Sequence, residues 1–456
     1  MVLFSDKIEN ITMDPKMQLS YQKLWRKIKE NNFNKTQFKE FVNISNQTLS
    51  KLSKNETVSL ETLCKIADFF GCSITDIFEY KIEKMKEKLF ESSDLKVASF
   101  FAGIGGFEHG IQQSDLIANF ILASEIDKFA LKSYKANFPD TKLMGDIREI
   151  DETEVENHDL LVAGFPCQAF SISGKRMGFE DARGTLFFEL ARIIKAKKPK
   201  IILLENVENL VGHDRSNTIL TILQILSDLG YSVDFSVVNS SEMNVPQNRS
   251  RTYIVGVSNW FIEEYNKDNR SIKVTKLKKE INERQTIKSF NFFNYLESKD
   301  QTLYIKSILS NDVDQKYFLR SDKLHKFIAQ QTIENNLRVE NKILKVFDLP
   351  KEIHNDQERQ RRVYSIYGIS PTLLARSDTT KILIKDSQGY KIRKLTPKEN
   401  LKVQGFSDHF IDNLLHSGMS DTQLYKQSGN AVSPPVIKAI CNLIKERILD
   451  KKEENE

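Results

Sequence analysis

Four side chains near the ends of apolar stretches could carry out a covalent reaction. Cys167 follows the apolar run 160–163, and Glu205 ends the next run along the chain. Arg249 and Arg251 stand just before a later apolar segment. A thiolate is a nucleophile, a carboxyl group can donate a proton, and guanidinium groups hold polar or anionic atoms. The combination predicts one site in which a nucleophile, an acid and a cationic clamp act together.

Each of these residues also has an ordinary interpretation. A free cysteine is usually a buried, inert residue, and a glutamate after a strand is often a helix cap or an ion-pair partner. What favours a reactive site is position, since open α/β folds build their sites at the carboxyl ends of neighbouring strands.

The elements that must position these residues follow a regular alternation. Five apolar, β-type runs, at 97–101, 120–123, 160–163, 201–204 and 253–257, are separated by helical stretches. This pattern predicts a Rossmann-like α/β domain with a mostly parallel sheet and helices on both faces.

A glycine-rich turn follows the first of these runs. Gly103 and Gly105 fit the dinucleotide fingerprint, but Glu108 occupies its third glycine position, which disfavours a pyrophosphate ligand. Glu125 follows the second run, about where an acid would meet ribose hydroxyls, and Asp146 ends a third short segment. Together these features predict a cofactor that contains a nucleoside.

Composition sets wide limits on the class of protein. The chain has 456 residues, 40% hydrophobic and 28% charged, which predicts two or three globular domains. No apolar run is long enough to cross a bilayer, and the first residues show no secretory pattern, so we expect no membrane partner. The four cysteines form no CxxC pair, so neither a disulfide framework nor a metal site is expected. The expected location is the reducing cytoplasm. The net charge of +5 permits a nucleic-acid partner without demanding one.

The amino-terminal region has helix–turn–helix spacing. Ser45 or Asn46 can cap the second helix, which leaves Gln47, Thr48 and Lys51 to project outward toward DNA. The apolar positions expected to form the shared face are Phe38, Phe41, Ile44, Leu49 and Leu52. The next helix is expected to stop at Gly71. The region resembles the Cro/C1-type helix–turn–helix domains, with a small helical bundle for protein contacts as the alternative.

Seven motifs in order carry a second resemblance, at 101–106, 164–168, 183–188, 205–207, 247–251, 393–397 with 404–406, and 427–432. The chain from about Val97 to Ile444 resembles the DNA (cytosine-5)-methyltransferases. Ser99 and Ala431 depart from the frequent Asp and Ser of that family, but neither touches the reacting atoms.

The resemblance implies a mechanism in which Cys167 attacks carbon 6 of a cytosine that has been flipped out of duplex DNA. Glu205 would hold or protonate ring N3, and Arg251 would engage O2 or a phosphate, braced by Arg249 and Gln247. S-adenosylmethionine would supply the methyl group.

The resemblance also implies the remaining contacts. The cofactor pocket would be formed by Phe101, Gly103, Ile104, Gly105, Gly106, Glu125, Ile126, Asp146, Ile147, Pro166, Leu186, Asn430 and Val432. DNA contacts outside the amino-terminal region would come from Gln168, Ser171 and Thr372. Gln357 and Gln360 are candidates to probe the gap left by the flipped base.

The predicted organisation has five parts: a helix–turn–helix domain (15–80), a charged helical linker (81–95), a catalytic domain (96–258), a target-recognition domain (259–390) and a C-terminal return to the catalytic domain (391–450). Basic clusters at 273–279 and 359–362 suit phosphate contacts. A role in bacterial restriction–modification, with autoregulation by the amino-terminal domain, is the expected setting, although an orphan enzyme stays open.

Four further questions stay open. A tRNA cytosine-5 methyltransferase is an alternative, but the chain lacks that branch's Cys-Phe-Thr signature. An inactive DNA-binding regulator is another, which the trio of Cys167, Glu205 and Arg251 argues against. The methylase is expected to act as a monomer, with a dimer through the helix–turn–helix domain as the alternative, and the DNA target cannot be read from these residues.

Overall fold

A computed structural model of the protein describes residues 17–31, 33–82, 94–166, 186–333 and 339–450. The chain divides into two compact units, residues 1–89 and 90–456. In the described residues no helix is both long and apolar enough to span a membrane.

The described residues of the amino-terminal unit form four α-helices and a two-stranded sheet. Its elements are β1 (Met17–Ser20), α1 (Gln22–Glu30), α2 (Lys35–Val42), α3 (Asn46–Ser53), α4 (Leu60–Phe70) and β2 (Glu79–Ile82). Ser45 caps α3 by accepting a 3.0 Å hydrogen bond from the Thr48 amide, and Gly71 ends α4 in a left-handed conformation. These helix boundaries confirm the predicted helix–turn–helix spacing.

Two predictions for this unit are wrong. Phe41 is 65% exposed, because Phe38 and Val42 occupy the inward side of α2. Lys81 and Ile82, expected in a helical linker, belong to β2 and pair with β1. The rest of the expected linker lies mostly outside the described residues.

The large unit is built on a seven-stranded sheet in the order β5-β4-β3-β6-β7-β10-β8. Its strands are β3 (Leu95–Phe100), β4 (Ala118–Ser124), β5 (Lys142–Met144), β6 (Leu160–Ala163), β7 (Ile201–Val207), β8 (Tyr231–Asn239) and β10 (Ser250–Ser258). β3 to β7 pair in parallel, whereas β10 runs antiparallel to both of its neighbours. The mostly parallel sheet is therefore confirmed, with one reversed strand.

The α-helices described in this unit are α5 (Gly106–Gln112), α6 (Lys128–Asn137), α7 (Leu186–Lys197), α8 (Asn217–Asp228), α9 (Ile272–Arg284), α10 (Ile305–Ile308), α11 (Asp322–Ala329), α12 (Glu358–Arg361), α13 (Pro397–Val403), α14 (Asp408–His416), α15 (Asp421–Asn430) and α16 (Pro434–Ile444). Helices cover both faces of the seven-stranded sheet: α7, α8 and α9 share one buried cluster with its strands, and α5 and α16 share another. α16 packs against α5, where a Cβ on Gly110 would lie 2.5 Å from Cβ of Ile437. The C-terminal helix thus lies beside the helix that follows the first glycine turn.

Residues 259–296, placed by prediction at the start of the target-recognition domain, pack against the central sheet. Val274, Leu277 and Ile281 of α9 share a buried cluster with strand residues of β7 and β8. The Lys278 ammonium, 1% exposed, lies 2.7 Å from the Asp234 carboxylate of β8. The predicted boundary at 259 stays a prediction, and the packing attaches this segment to the central sheet.

A smaller four-stranded sheet lies farther along the chain, in the order β11-β12-β14-β15. Its strands are β11 (Lys345–Asp348), β12 (Arg362–Ser365), β14 (Lys381–Asp386) and β15 (Gly389–Lys394). Two short strands, β9 (Gln247–Asn248) and β13 (Ser370–Pro371), pair in parallel. Since β9 precedes β10 and β13 lies between β12 and β14 in the chain, this pair connects the large sheet to the smaller one.

Candidate active site

The reversed strand β10 brings an arginine to the carboxylate at the end of β7. In the register of these strands Tyr253 lies opposite Glu205, and Arg251 lies opposite Val207. Alternate residues of a strand point to the same side, so Arg251 lies on the side of Glu205. Nε of Arg251 is 3.1 Å from Oε1 of Glu205. The predicted acid and clamp therefore form a direct ion pair.

The burial of Glu205 changes the acidity of its carboxyl group. The residue is 8% exposed, and this burial raises the pKa of its carboxyl group. The positive charges of Arg251 and Arg249 oppose the shift without cancelling it. Glu205 can therefore keep a proton above the usual pH range of a carboxylic acid, as a proton donor must.

Arg249 lines the same cavity as this pair and contacts the C-terminal part of the chain. It is 3% exposed, and its Nη2 donates a 2.9 Å hydrogen bond to the carbonyl oxygen of Ala431. Its Nε and Nη1 have no hydrogen-bond partner among the described residues. Burial, and then repulsion from Arg251, lowers the Arg249 pKa to about 10. The residue is a buried cation at neutral pH.

Gln247 makes a different set of contacts from the predicted brace on Arg251. It is fully buried, its Nε2 donates to Oε1 of Gln404 at 3.0 Å, and its Oε1 accepts from the Leu373 amide at 3.1 Å. No hydrogen bond joins Gln247 to Arg251 among the described residues. Four residues apart on the chain, they lie on different strands: Gln247 belongs to β9, which pairs with β13, and Arg251 belongs to β10, which pairs with β7.

The glycine turn after β3 has a backbone that few residues tolerate. Phe101, Gly103 and Gly105 all have positive φ, at 55°, 57° and 92°. A Cβ on Gly106 would lie 2.8 Å from Cγ2 of Val432, so the turn packs closely on the C-terminal motif. The strain at Phe101 is local and lies beside a cavity, where such strain is commonly functional.

Glu125 is held by the backbone of this turn. Its Oε2 accepts from the Gly103 amide at 2.9 Å, and its Oε1 accepts from the amides of Ile126 and Asp127 at 2.8 Å. The carboxylate is thereby fixed in one orientation at the end of β4. It retains lone pairs that could accept hydrogen bonds from ligand hydroxyls.

One continuous cavity of about 610 Å³ joins these features. Its lining includes Glu205, Arg249 and Arg251 at one part and the glycine turn at another. The predicted cofactor residues that line the cavity are Phe101, Gly103, Ile104, Gly106, Glu125, Ile126, Asp146, Ile147, Pro166, Leu186, Asn430 and Val432. Gly105 does not line it; its role is to form the turn. The volume suits a ligand of nucleoside size or larger.

Comparison with known proteins identifies the family. Residues 95–446 match the family described as C-5 cytosine-specific DNA methylase. The chain belongs to this family. Residues 23–83 match the Cro/C1-type HTH DNA-binding domain, so the methylase carries a second DNA-binding module.

Several relatives are similar over most of the methylase. The type II methyltransferase M1.ScrFI of Lactococcus lactis subsp. cremoris is 38% identical over 363 residues, which cover 79% of this chain and 80% of the relative. The type II methyltransferase M.SsoII of Shigella sonnei is 38% identical over 359 residues, 78% of this chain and 81% of the relative.

Solved structures of low identity share the fold. A mutant DNMT2 of Spodoptera frugiperda matches with a TM-score of 0.55 and 20% identity, over 77% of this chain and 99% of that one. The methyltransferase EhMeth of Entamoeba histolytica matches with a TM-score of 0.53 and 18% identity, over 78% and 99%. They support the Rossmann-like architecture of the methylase.

Charged residues that sequence reasoning missed also line the methylase cavity. The Arg148 side chain donates to both carboxylate oxygens of Asp146, at 2.9–3.0 Å from its Nε. This arginine lowers the Asp146 pKa. Lys426 of α15 lies 2.7 Å from Asp127, which follows β4. Arg148 pairs with a residue two positions away, whereas the Lys426–Asp127 pair connects two segments that only the fold brings together.

Asn206 belongs to the motif 205–207, and the structure gives it a specific contact. Its Nδ2 donates a 2.8 Å hydrogen bond to the carbonyl oxygen of Phe165, which ties β7 to the segment ending at Pro166. Three predicted residues, Cys167, Gln168 and Ser171, lie outside the described residues.

The predicted DNA-contact residues fall in both units. Thr372 follows β13, and its hydroxyl donates a 2.7 Å hydrogen bond to the carbonyl oxygen of Asn248. In the amino-terminal unit Gln47 is exposed, while Thr48 and Lys51 are partly exposed. The Thr48 hydroxyl lies 2.9 Å from that of Ser45, so part of its hydrogen-bonding capacity serves the helix cap.

Proposed function

We propose that the methylase transfers a methyl group from S-adenosylmethionine to carbon 5 of a flipped cytosine in a specific duplex DNA sequence, through a covalent adduct between Cys167 and carbon 6. The observation that carries the proposal is the buried Glu205–Arg251 pair, with 3.1 Å between Oε1 and Nε, in the same cavity as the glycine turn. The proposed proton donor and the residues expected to bind the cofactor thus line the same cavity.

The chemical need for these groups follows from the substrate. Carbon 5 of cytosine is a poor nucleophile, and addition of a thiolate at carbon 6 makes it enamine-like. Glu205, whose pKa burial raises, would protonate or hydrogen-bond ring N3 and so stabilise the electron-rich adduct. Arg251 would hold the cytosine O2 or a nearby phosphate. Cys167 would form the carbon 6 bond and leave when the carbon 5 proton is lost.

The residues around the glycine turn fit the cofactor. When bound, S-adenosylmethionine supplies an electrophilic methyl group. Glu125 would accept hydrogen bonds from the ribose hydroxyls, and Asp146 would accept one from the adenine amino group. The turn at Gly103–Gly106 would let backbone atoms approach the methionine portion, since Gly103 and Gly106 line the cavity without a side chain. Phe101 would pack on the adenine.

The target base must leave the duplex to reach this cavity, at a cost of a few kcal/mol in unstacking. Gln168, Ser171 and Thr372 would contact the DNA around the flipped nucleotide. Residues 259–390 would read the target sequence, 96–258 with 391–450 would form the catalytic domain, and Gln247 would position the segment before β10.

We further propose that the methylase shields bacterial cytoplasmic DNA within a restriction–modification system. Its amino-terminal domain, residues 15–80 joined by the segment 81–95, would repress its own operon through Gln47, Thr48 and Lys51. Operators read by helix–turn–helix proteins are commonly two-fold, so this domain would dimerise on DNA while the catalytic unit acts as a monomer.

Labelled S-adenosylmethionine tests the proposal. The protein is incubated with duplex DNA or with tRNA, and label is expected in carbon 5 of cytosine in the duplex alone. Label that enters only RNA, or neither substrate, would overturn it and favour the RNA enzyme or the inactive regulator. The Cys167→Ser variant is the matched control, which should bind duplex DNA and transfer nothing.

A further inference from the structure

Arg192, on α7, makes a set of contacts that the proposed mechanism does not use. Its Nε donates to Oε2 of Glu189 at 2.9 Å, and its Nη1 donates to the Glu152 carboxylate. Its Nη2 donates to two main-chain carbonyl oxygens, those of Ile147 at 3.1 Å and Ile150 at 2.9 Å. The guanidinium therefore fastens a backbone segment as well as pairing with two acids.

The fastened backbone forms one wall of the cavity. Residues 145–148 follow β5 and line the cavity, with Ile147 itself 2% exposed. The helix that carries Arg192 begins at Leu186, which lines the cavity from another direction. Arg192 thus connects two walls, although its own side chain does not line the cavity.

We infer that Arg192 is a positioning residue for the adenosyl end of the cofactor site. The inference rests on the proposed function, in which Asp146 and Ile147 meet the adenine. A loop carbonyl held by a charged donor has few alternative positions, and a guanidinium presents several donors in a rigid fork. Without it the segment 145–148 samples other conformations, and ordering it then consumes binding free energy.

Two substitutions separate the parts of this contact. Arg192→Gln removes the charge and most donors, whereas Arg192→Lys keeps a charge near Glu152 and Glu189 but is a single point donor. Both should raise the Kd for S-adenosylmethionine, measured by calorimetry, by about tenfold or more, the loss expected for one charged hydrogen bond. The rate at saturating cofactor should stay within about twofold, because the reacting groups are untouched.

Matched variants exclude general damage. Arg284→Gln removes an arginine of α9 that pairs with Glu280 on an exposed surface, and it should leave the Kd unchanged. Glu189→Gln keeps an acceptor for Nε and leaves both loop carbonyls bonded, so it should change the Kd by less than about threefold. Adenosine, used as a competitor, should lose the same factor as the whole cofactor in the Arg192 variants.

The outcomes are distinct. Wild-type protein that binds no S-adenosylmethionine overturns the proposed function, and this inference with it. Wild-type protein that binds it while both Arg192 variants bind equally well overturns the inference alone. A fall in saturated rate and melting temperature at an unchanged Kd would assign Arg192 a general structural role and also overturn it. If Arg192→Gln does not fold, the Kd of Arg192→Lys decides.

Discussion

The carboxylate of Glu205 and the guanidinium of Arg251 meet across two antiparallel strands at 3.1 Å, with 10% and 16% of their side chains exposed. An arginine at this distance normally stabilises the charged carboxylate, yet burial has the larger effect and the Glu205 pKa is raised. The pair therefore orients the carboxyl group while leaving it able to carry a proton.

The first prediction concerns the pH dependence of methyl transfer. A raised pKa means that Glu205 is protonated below that pKa and loses the proton as the pH rises through it. The single-turnover rate should therefore fall as the pH rises through the Glu205 pKa, which gives the pH–rate profile a descending limb at high pH. Glu205→Gln cannot ionise, so its rate should be lower by about a hundredfold or more and should lack the limb. Rapid-quench measurements at pH values from the ordinary pKa of a glutamate, about 4.3, upward give both results.

Glu208→Gln supplies the control for this substitution, because Glu208 is exposed beyond the end of β7. It should keep the wild-type rate and pH profile. The assignment fails if Glu205→Gln keeps the limb, since another group would then be responsible for it.

A second prediction concerns folding stability and Glu108. This residue of α5 is fully buried, accepts a 3.0 Å hydrogen bond from the Tyr134 hydroxyl, and has its pKa raised by burial to about 7. A raised pKa in the fold contributes stability at low pH that is lost as the pH rises through that value. The free energy of unfolding should fall by about 2 kcal/mol between pH 5 and pH 8 on this account.

Glu108→Gln should remove that loss, so its unfolding free energy by urea titration should be flatter over the same interval. Exposed Glu149→Gln is the comparison and should retain the wild-type slope. An equal slope in all three proteins would contradict the assignment.

Local features of the fold could be predicted from the sequence because local chemistry determines them. Strand runs, the Ser45 cap and the Gly71 stop depend on side chains within a few residues. The position of Phe41 could not, because it depends on which side of α2 the other helices cover.

The candidate site was predicted as a set of residue types, and its geometry was not. Glu205 and Arg251 meet only because β10 is reversed between β7 and β8, and apolar runs carry no sign of strand direction. The attachment of 259–296 to the sheet likewise depends on a buried pair of distant residues, Lys278 and Asp234. The spacing of apolar residues along the chain does not predict such pairs.

The third prediction tests that attachment. Asp234 is completely buried and also accepts hydrogen bonds at 2.8 Å from the amides of Phe235, Phe292 and Phe293. Lys278→Met leaves this carboxylate without its cation, at a cost of about 3–5 kcal/mol. Lys279→Met removes a neighbour whose side chain is 80% exposed and should cost less than about 0.5 kcal/mol. Urea unfolding compares them, and equal effects would refute the role of the pair.

The fourth prediction concerns the turn at Gly105. This glycine has a φ of +92°, and an added Cβ would lie 2.4 Å from Cε2 of Phe138. Gly105→Ala should therefore lower the unfolding free energy by more than about 2 kcal/mol, from backbone strain and overpacking together. Gly145→Ala adds its Cβ to open space at a φ outside the left-handed region and should change stability by less than about 0.5 kcal/mol. Similar unfolding curves for the two variants would show that the turn relaxes.

The last prediction separates the two DNA-binding functions proposed for the chain. Gln47 and Lys51 lie on α3, outside the apolar core of their unit, so replacing both by alanine should leave the fold intact. In the proposed complex Lys51 would contact a phosphate and Gln47 a base, so their loss should relieve repression of a reporter gene that carries the DNA upstream of the methylase gene. Methylation of plasmid DNA, scored by bisulfite sequencing, should continue because the catalytic unit is unchanged. Lys65→Ala, on the exposed side of α4, should retain repression. Full repression by the Gln47 and Lys51 double variant would exclude α3 as the operator-reading helix.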